Sequence, residues 1–438
     1  MAAIDAAAPE PVEELIARAG AALAREALRM LGGGYGRRVV VVAGKGNNGA
    51  DGRSAAAWLR RRGVRVSVID AADAPPVLPP ADLVIDAAYG TGFRGAYEAP
   101  DPGTAPVLAC DIPSGVDGRT GEAGPGAVLA TRTVTFAALK PGLVFEPGRS
   151  HAGSVTVADI GLDVSSASAG LLDAADVAAG LPSRPVDAHK WRAAVWVIGG
   201  SAGMTGAPVL AASAAARAGA GYVRLSVPGL PGPAPATPIE VVSVDVAEHG
   251  WADAVLAEAE RFRSLVIGPG LGDRGAAEVR RVVAESIVPV VVDGDGLRAL
   301  GTDCVHVGHP TTVLTPHDGE FERLSGHRPG VDRIDAARRL SGATNAVVLL
   351  KGPTTVVADP AGAVLVVAAA DARLATAGTG DVLSGVIAAL IARGLDAFRA
   401  AAVGAFLHGR AAALGPADGL VASDVVAHLP DAFAEARS

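Results

Sequence analysis

Cysteine is nearly missing from this 438-residue chain, with Cys110 and Cys304 as the only two. Such scarcity excludes a disulfide-stapled scaffold and fits a reducing compartment. A surplus of basic residues is missing too. The formal net charge is −8 and no basic stripe with interleaved aromatics occurs, which disfavours nonspecific binding to nucleic acid or anionic lipid. The longest apolar stretches, such as "DVLSGVIAALIARG", fall short of the ~20 residues that span a bilayer. The N-terminal "MAAIDAAAPEPVEELIARAGAAL" carries acids early and has no basic stretch ahead of an apolar run, so no signal peptide is expected. A cytoplasmic protein without nucleic-acid or membrane partners is the expectation.

What is present is ample core material. Half the residues are hydrophobic, and a chain of this length is expected to form two domains of roughly 150–250 residues. "RVVVVAG", "VRVSVI", "DLVIDA", "PVLACD", "TRTVTF" and "SVTVAD" read as short strands separated by helical stretches. A helix over Val12–Leu31 precedes them, and "GRSAAAWLRRRG" (Gly52–Gly63) is expected as the helix after the first loop. The pattern dissolves between Gly161 and Lys190, which places a linker there and a boundary near Ala175. A second series follows with "AVWVIGG", "YVRLSV", "SLVIGPG", "PVVVDGDG", "TTVLTPH" and "AVVLLKGPTTVVAD". Both halves are expected to be α/β, the first with a parallel, doubly wound, Rossmann-like sheet, as domains 1–175 and 176–438.

Polar groups gather where the strands of the second half end. "LATAGTGDVLSG" (Leu374–Gly385) places glycines and a carboxylate, Asp381, at a helix start that ordinarily welcomes an anion. The loop has neither the lysine of a P-loop nor the spacing of a dinucleotide fingerprint. Taken alone, Asp381 reads more readily as a helix cap than as a functional acid. Its company changes that: "LLKGPTTVV", "VIGPGLG", "LTPHDGEF" and "GGSAGMTGAP" each end a strand with glycines and a polar group, as one cleft at the carboxyl edge of a sheet would require.

In this order, from about His189 onward, these motifs resemble the carbohydrate-kinase-like dehydratases that repair hydrated NAD(P)H, within the ribokinase-like superfamily. The resemblance implies an ADP-dependent conversion of the 6-hydroxy hydrate to the dihydronicotinamide, releasing AMP and phosphate, with Mg²⁺ accompanying ADP. By position, Asp381 is the implied base. Lys351, Gly352, Pro353, Thr354 and Thr355 are the implied nucleotide loop, joined by Gly380, while Ala207, one of Gly270 and Gly272, His317 and Asp381 are implied hydrate contacts. Asp318, Trp191 and Arg298 depart from the family's usual residues, and Asp318 adds a negative charge to an anion site.

The first half carries "VVVVAGKGNNGADG", "VIDAAYGTGFRGA" and "ACDIPSGVDGRTG" at three strand ends. No Gly-Lys-Ser/Thr follows, so the first is not a Walker loop. Its carboxylates, amides and hydroxyls are hard oxygen ligands suited to a weakly held cation such as K⁺ or Mg²⁺. Together they resemble the NAD(P)H-hydrate epimerase domain. The implied hydrate-binding loops are Asn47, Asn48, Gly49, Ala50 and Asp51, and Gly90, Thr91, Gly92, Phe93, Arg94, Gly95 and Ala96. Asn48, Asp86 and Ser114 are implied K⁺ ligands, and Asp111 an implied substrate contact and the expected acid–base group. Ala50 departs from the usual glycine and is tolerable only at negative φ. The joint resemblance implies a fused enzyme that interconverts R- and S-hydrates and dehydrates the S form, taking NADHX, NADPHX and ADP and working as a homo-oligomer. A ribokinase-like small-molecule kinase fused to a non-catalytic binding or dimerisation domain is the rival.

Overall fold

The computed structural model describes residues 9–92, 95–304, 309, 311–369 and 371–438. The chain divides into two compact units, Met1–Ala167 and Ser168–Ser438.

The first unit is built on β1 (Arg38–Ala43), β2 (Arg65–Asp70), β3 (Leu83–Ala87), β4 (Val107–Cys110), β5 (Arg132–Phe136) and β6 (Ser154–Ala158). All are parallel, in the order β2-β1-β3-β4-β5-β6. The runs of Val, Leu and Ile in β1, β3 and β4 are buried on both faces, as a sheet covered by helices demands. The expected helix Val12–Leu31 forms and stops at Gly32 in the left-handed conformation. The next helix spans Asn47–Arg61, starting five residues before the expected Gly52. The motif "NNGAD" is therefore its first turn, and the loop before it shrinks to Gly44–Gly46. Gly49 permits this tight exit, because a Cβ there would lie 1.9 Å from the Gly44 carbonyl oxygen.

The second unit holds β7 (Ala169–Leu171), β8 (Ala194–Ile198), β9 (Tyr222–Ser226), β10 (Val241–Ser243), β11 (Ser264–Ile267), β12 (Val290–Val292), β13 (Val313–Leu314), β14 (Val347–Leu350), β15 (Thr355–Ala358) and β16 (Val364–Val367). They form one sheet in the order β10-β9-β8-β11-β12-β13-β14-β15-β16-β7. The strands from β10 through β14 are parallel, and β15 runs antiparallel between β14 and β16. Residues 161–190, which read as linker, contain β7 and the helix Ala174–Gly180. Strand β7 pairs with β16 and belongs to this sheet, so the units part at Ala167, before Ala175.

In both sheets the strand order reverses beside the first strand of the parallel series, between β1 and β3 and between β8 and β11. Such reversals open a crevice at the carboxyl ends of the strands. The glycine loops sit there.

Candidate functional site

In the first unit, the chain leaves β4 through Asp111, whose φ of 64° is unusual for a residue with a side chain. Asp111 Oδ1 accepts from Lys140 Nζ at 2.5 Å, Thr135 Oγ1 at 3.1 Å and the Phe136 N–H at 3.2 Å. Lys140 also donates to Thr135 Oγ1 and to the Phe136 carbonyl, each at 2.8 Å, and is 4 % exposed. Asp51, on the first turn of the Asn47–Arg61 helix, faces this pair. Burial pushes its carboxyl up to about 8, neighbouring Asp111 adds to the rise, and Lys140 opposes it. One carboxyl is ion-paired, while burial lets the other hold a proton near neutral pH.

A cavity of about 740 Å³ opens above them. Of the implied hydrate loops it is lined by Asn47, Asn48, Asp51, Gly90, Thr91 and Gly92, together with Asp111. Gly49, Ala50, Gly95 and Ala96 are not among the lining residues. Phe93 and Arg94 lie outside the described residues. Ala50 sits inside the helix and not at positive φ, so its Cβ is accommodated. Leu15, Ile16 and Ala19 of the Val12–Leu31 helix supply an apolar wall.

Asp86 and Ser114 meet directly. The Ser114 N–H donates to Asp86 Oδ2 at 2.8 Å, and its Oγ to Oδ1 at 2.7 Å. Ser114 Oγ also accepts from the Tyr89 N–H, while Asn48 packs against neighbouring Gly90. Asp86 is 3 % exposed, and burial raises its carboxyl to about 6 despite the hydrogen bonds from Ser114 and Ala88. Both side-chain polar atoms of Asn48 are buried without a hydrogen-bond partner among the described residues. A buried carboxylate lacking a cation and an orphaned amide oxygen fit a monovalent cation bound by oxygen. Among the described residues, no three His, Cys, Asp or Glu side chains cluster as a metal site, so a tightly caged transition metal has no counterpart here.

In the second unit, Asp381 occupies the first turn of the helix Thr379–Ala392, whose N-cap is Gly378 with no side-chain cap bond. Asp381 is therefore not the cap. Its carboxyl rises to about 7, through burial first and then Asp293, with Lys351 opposing and Glu320 and Asp295 adding. Lys351 leaves the end of β14 and donates to Asp293 Oδ1 at 2.9 Å, with Glu320 Oε2 at 3.6 Å. Burial would lower the Lys351 ammonium, but these carboxylates outweigh it and hold it raised. A Cβ on Gly380 would lie 3.3 Å from Lys351 Nζ, so its absence leaves room between the helix start and the ammonium.

The remaining implied contacts join this cluster in sequence. Gly272 N–H donates to Asp295 Oδ2 at 2.8 Å, and Gly270 backs onto Met204 and Ala207. His317 caps the helix Asp318–Ser325: its Nδ1 accepts from the Gly319 and Glu320 N–H groups, leaving an exposed Nε2 edge. Of the implied nucleotide loop, Gly352 packs against Arg333, Pro353 is exposed, and Thr354 and Thr355 are buried. Gly385, the last glycine of the motif, is a packing residue; a Cβ there would lie 2.0 Å from the Ala211 carbonyl oxygen. The departures are absorbed locally. Asp318 pairs with Arg333 at 2.9 Å, Arg298 pairs with Asp273 and Asp295, and Trp191 stacks on Tyr222 with centroids 4.3 Å apart.

Residues 195–431 match the NAD(P)H-hydrate dehydratase family, and residues 12–78 and 69–142 match the family described as YjeF-related protein N-terminus. The bifunctional NAD(P)H-hydrate repair enzyme of Mycobacterium leprae is 40% identical, across 96% of this chain and 94% of its own length. The chain belongs to the bifunctional NAD(P)H-hydrate repair enzymes. Its counterpart from Moorella thermoacetica is 37% identical over 86% of this chain and 82% of its own. Among solved structures, the ADP/ATP-dependent NAD(P)H-hydrate dehydratase of Bacillus subtilis, co-crystallised with ATP and Mg²⁺, is 27% identical with a TM-score of 0.52, covering 61% of this chain and 98% of that one. A ribokinase-like superfamily protein of Enterococcus faecalis superposes with a TM-score of 0.55 at 21% identity, covering 63% of this chain and 99% of that one. The repair enzyme thus couples a Rossmann-like first domain to a ribokinase-like second.

Asp51 as the raised carboxyl, Lys140 and Asp293 were not singled out by sequence reasoning. Lys140 in "FAALKPG" and Asp293 in "VVVDGDG" each follow a strand closely, the same signal that marked Asp111 and Lys351.

Proposed function

We propose that the chain epimerises R- and S-NAD(P)HX in its first unit and, in its second, converts S-NAD(P)HX to NAD(P)H with ADP, releasing AMP and phosphate. The observation that carries the dehydratase reading is Asp381. It is a half-buried carboxyl, raised to about 7, with no hydrogen bond to its side chain among the described residues, at a glycine-flanked helix start beside Lys351. Asp381 takes the proton of the C6 hydroxyl. The oxygen attacks the terminal phosphorus of ADP and AMP departs, while N–H groups opening the Thr379–Ala392 helix and the Lys351 ammonium stabilise the charge that develops. Phosphate then leaves C6 as a proton leaves C5, restoring the ring double bond.

Lys351, Gly352, Pro353, Thr354, Thr355 and Gly380 are proposed to bind the nucleotide, and Ala207, Gly270, Gly272 and His317 the hydrate. Mg²⁺ accompanying ADP would neutralise phosphate charge.

In the first unit, protonated Asp51 donates to the C6 hydroxyl, which leaves as water; water returns to either face of the planar cation and gives its proton back to Asp51. Asp111, the acid–base group expected from the sequence, is tied to Lys140, so the proposal gives the proton exchange to Asp51 and has Asp111 face the cation. Asn48, Asp86 and Ser114 would hold K⁺, whose charge organises the loops around the hydrate. The remaining hydrate-loop residues named from sequence are proposed contacts on the same footing, with NADHX and NADPHX both as substrates. The same proposal has the enzyme working in the cytoplasm as a homo-oligomer; among the described residues no helix is long and apolar enough to cross a membrane. The kinase alternative is not favoured, because relatives 34–40% identical over most of the chain carry the repair-enzyme name.

The test supplies mixed hydrates with ADP and follows the absorbance of the reduced nicotinamide. Full conversion of both epimers, with one AMP and one phosphate per reduced nicotinamide, is expected. A stable phosphoester and no reduced nicotinamide would establish the kinase instead.

A further inference from the structure

At the edge of the second sheet away from Asp381, a concavity of about 1270 Å³ opens. Ala193, Arg263, Pro289 and Val347 line it, at the amino ends of β8, β11, β12 and β14. Arg184, Arg217, Arg393 and Arg437 join Arg263 around it. None of these five guanidiniums forms an ion pair among the described residues, whereas arginines elsewhere, such as Arg281, Arg298 and Arg373, are paired with acids. The two lining carboxylates are engaged with backbone: Asp359 accepts from the Ala363 N–H and Asp396 caps the following helix.

The cations also crowd one another. Arg393 Nη2 and Arg437 Nη2 donate to the same Pro182 carbonyl, each at 2.8 Å. Burial lowers the Arg393 guanidinium, and the nearby charges of Arg437 and Arg184 lower it further. Arg393 Nη1 also donates to the Ala218 carbonyl at 2.9 Å, yet no carboxylate among the described residues pairs with the cluster, and crowded cations in a concave wall are costly without an anion to neutralise them. The facing wall is apolar, with Leu395, Phe398, Pro430 and Phe433, and the Arg393 guanidinium lies 5.2 Å from the centre of the Phe433 ring.

We propose that this concavity is a second ligand site, for a small molecule bearing a polyphosphate chain. Guanidiniums spread over helix ends and loops suit successive phosphates, each met by planar, charge-assisted hydrogen bonds. The apolar wall accommodates a ring system joined to them. The site is separate from the Asp381 edge, because it lies at the opposite ends of the same strands.

The full chain is titrated calorimetrically with inorganic tripolyphosphate and, separately, with ATP, as wild type, R184Q/R437Q and K351A. The expected result is a binding event weakened at least about tenfold in R184Q/R437Q at unchanged melting temperature, yet retained in K351A. R217Q/R263Q, which removes exposed guanidiniums that form no hydrogen bond among the described residues, should weaken it too and serves if the first pair fails to fold. ATP binding more tightly than tripolyphosphate in this event assigns a nucleotide; equal affinities assign the phosphate chain alone. Loss of the event in K351A, its survival in both arginine pairs, or absence of binding to wild type by either probe overturns the proposal.

Discussion

At the carboxyl edge of the first sheet Lys140 holds Asp111, and Asp51 beside them is pushed up to about 8; at the second, Lys351 holds Asp293, and Asp381 is pushed up to about 7. The two sites share a logic, in which burial beside an ion-paired carboxylate outweighs the opposing lysine and lets a second carboxyl carry a proton near neutral pH. Their lysines differ in what remains available. Lys140 donates to Asp111, Thr135 and the Phe136 carbonyl, which exhausts its three N–H groups. Lys351 makes one short bond, to Asp293, and its side chain is 21 % exposed. An ammonium with spare donors can take a phosphate oxygen, while a saturated one sets only the local field. The difference follows the chemistry proposed for each unit, phosphoryl transfer in one and proton exchange with water in the other.

Asp381→Asn is expected to break the symmetry most sharply. Removing the base should cost about 10²–10⁴-fold in dehydration and leave epimerisation unchanged; retention of a tenth of wild-type turnover would refute the assignment. Asp51→Asn and Asp111→Asn should each slow clearance of R-hydrate about 10²-fold while S-hydrate is still consumed. The Asp111 variant leaves Lys140 buried and unpaired, at a cost of about 3–5 kcal/mol, so rates must be compared at matched folded concentration and early times. If Asp111→Asn alone is impaired, Asp51 is a bystander and the parallel between the units fails.

Lys351→Ala should raise the KM for ADP about tenfold and leave epimerisation intact. Because Lys351 pulls the Asp381 carboxyl down, its loss should also move the acidic limb of the dehydration profile above its wild-type position near pH 7. A pH limb that stays in place would mean that Lys351 does not feel Asp381. The smallest effect concerns stability. A carboxyl raised in the folded state contributes stability fully present below its unfolded value and lost as pH rises through the folded one. From about 3.8 to about 7, wild type should therefore lose stability relative to Asp381→Asn, read from urea midpoints across that range. A parallel pair of midpoint curves would remove the desolvated state assigned to Asp381.

The strands of both parallel series and the glycine loops at their ends were legible because each depends on neighbours within a few residues. So was the place of Asp381 at a helix start, from the glycines around it. The ion pairs were not: Lys140 lies 29 residues from Asp111, and Lys351 lies 58 from Asp293, with nothing in spacing to join them. The start of the Asn47–Arg61 helix was obscured by its glycines and asparagines, which resemble loop composition and yet serve a close approach to the Gly44 carbonyl. Strand β7 was hidden for a related reason. "AGL" has no periodicity to read, and its place is set by its partner β16, nearly two hundred residues away.

That short strand governs how the molecule can be taken apart. Arg338 donates to the Ser168 carbonyl and hydroxyl, Val364 N–H to the same carbonyl, and Ala169–Leu171 closes the far edge of the ten-stranded sheet. A shortened chain beginning at residue 176 would expose the unpaired backbone of β16, whose Val364, Val366 and Val367 are otherwise buried. Bare valine-rich edges recruit other strands, so such a fragment would self-associate for reasons unrelated to any native assembly. A chain beginning at or before Ser168 keeps its own edge covered, and its oligomeric state can then be taken at face value.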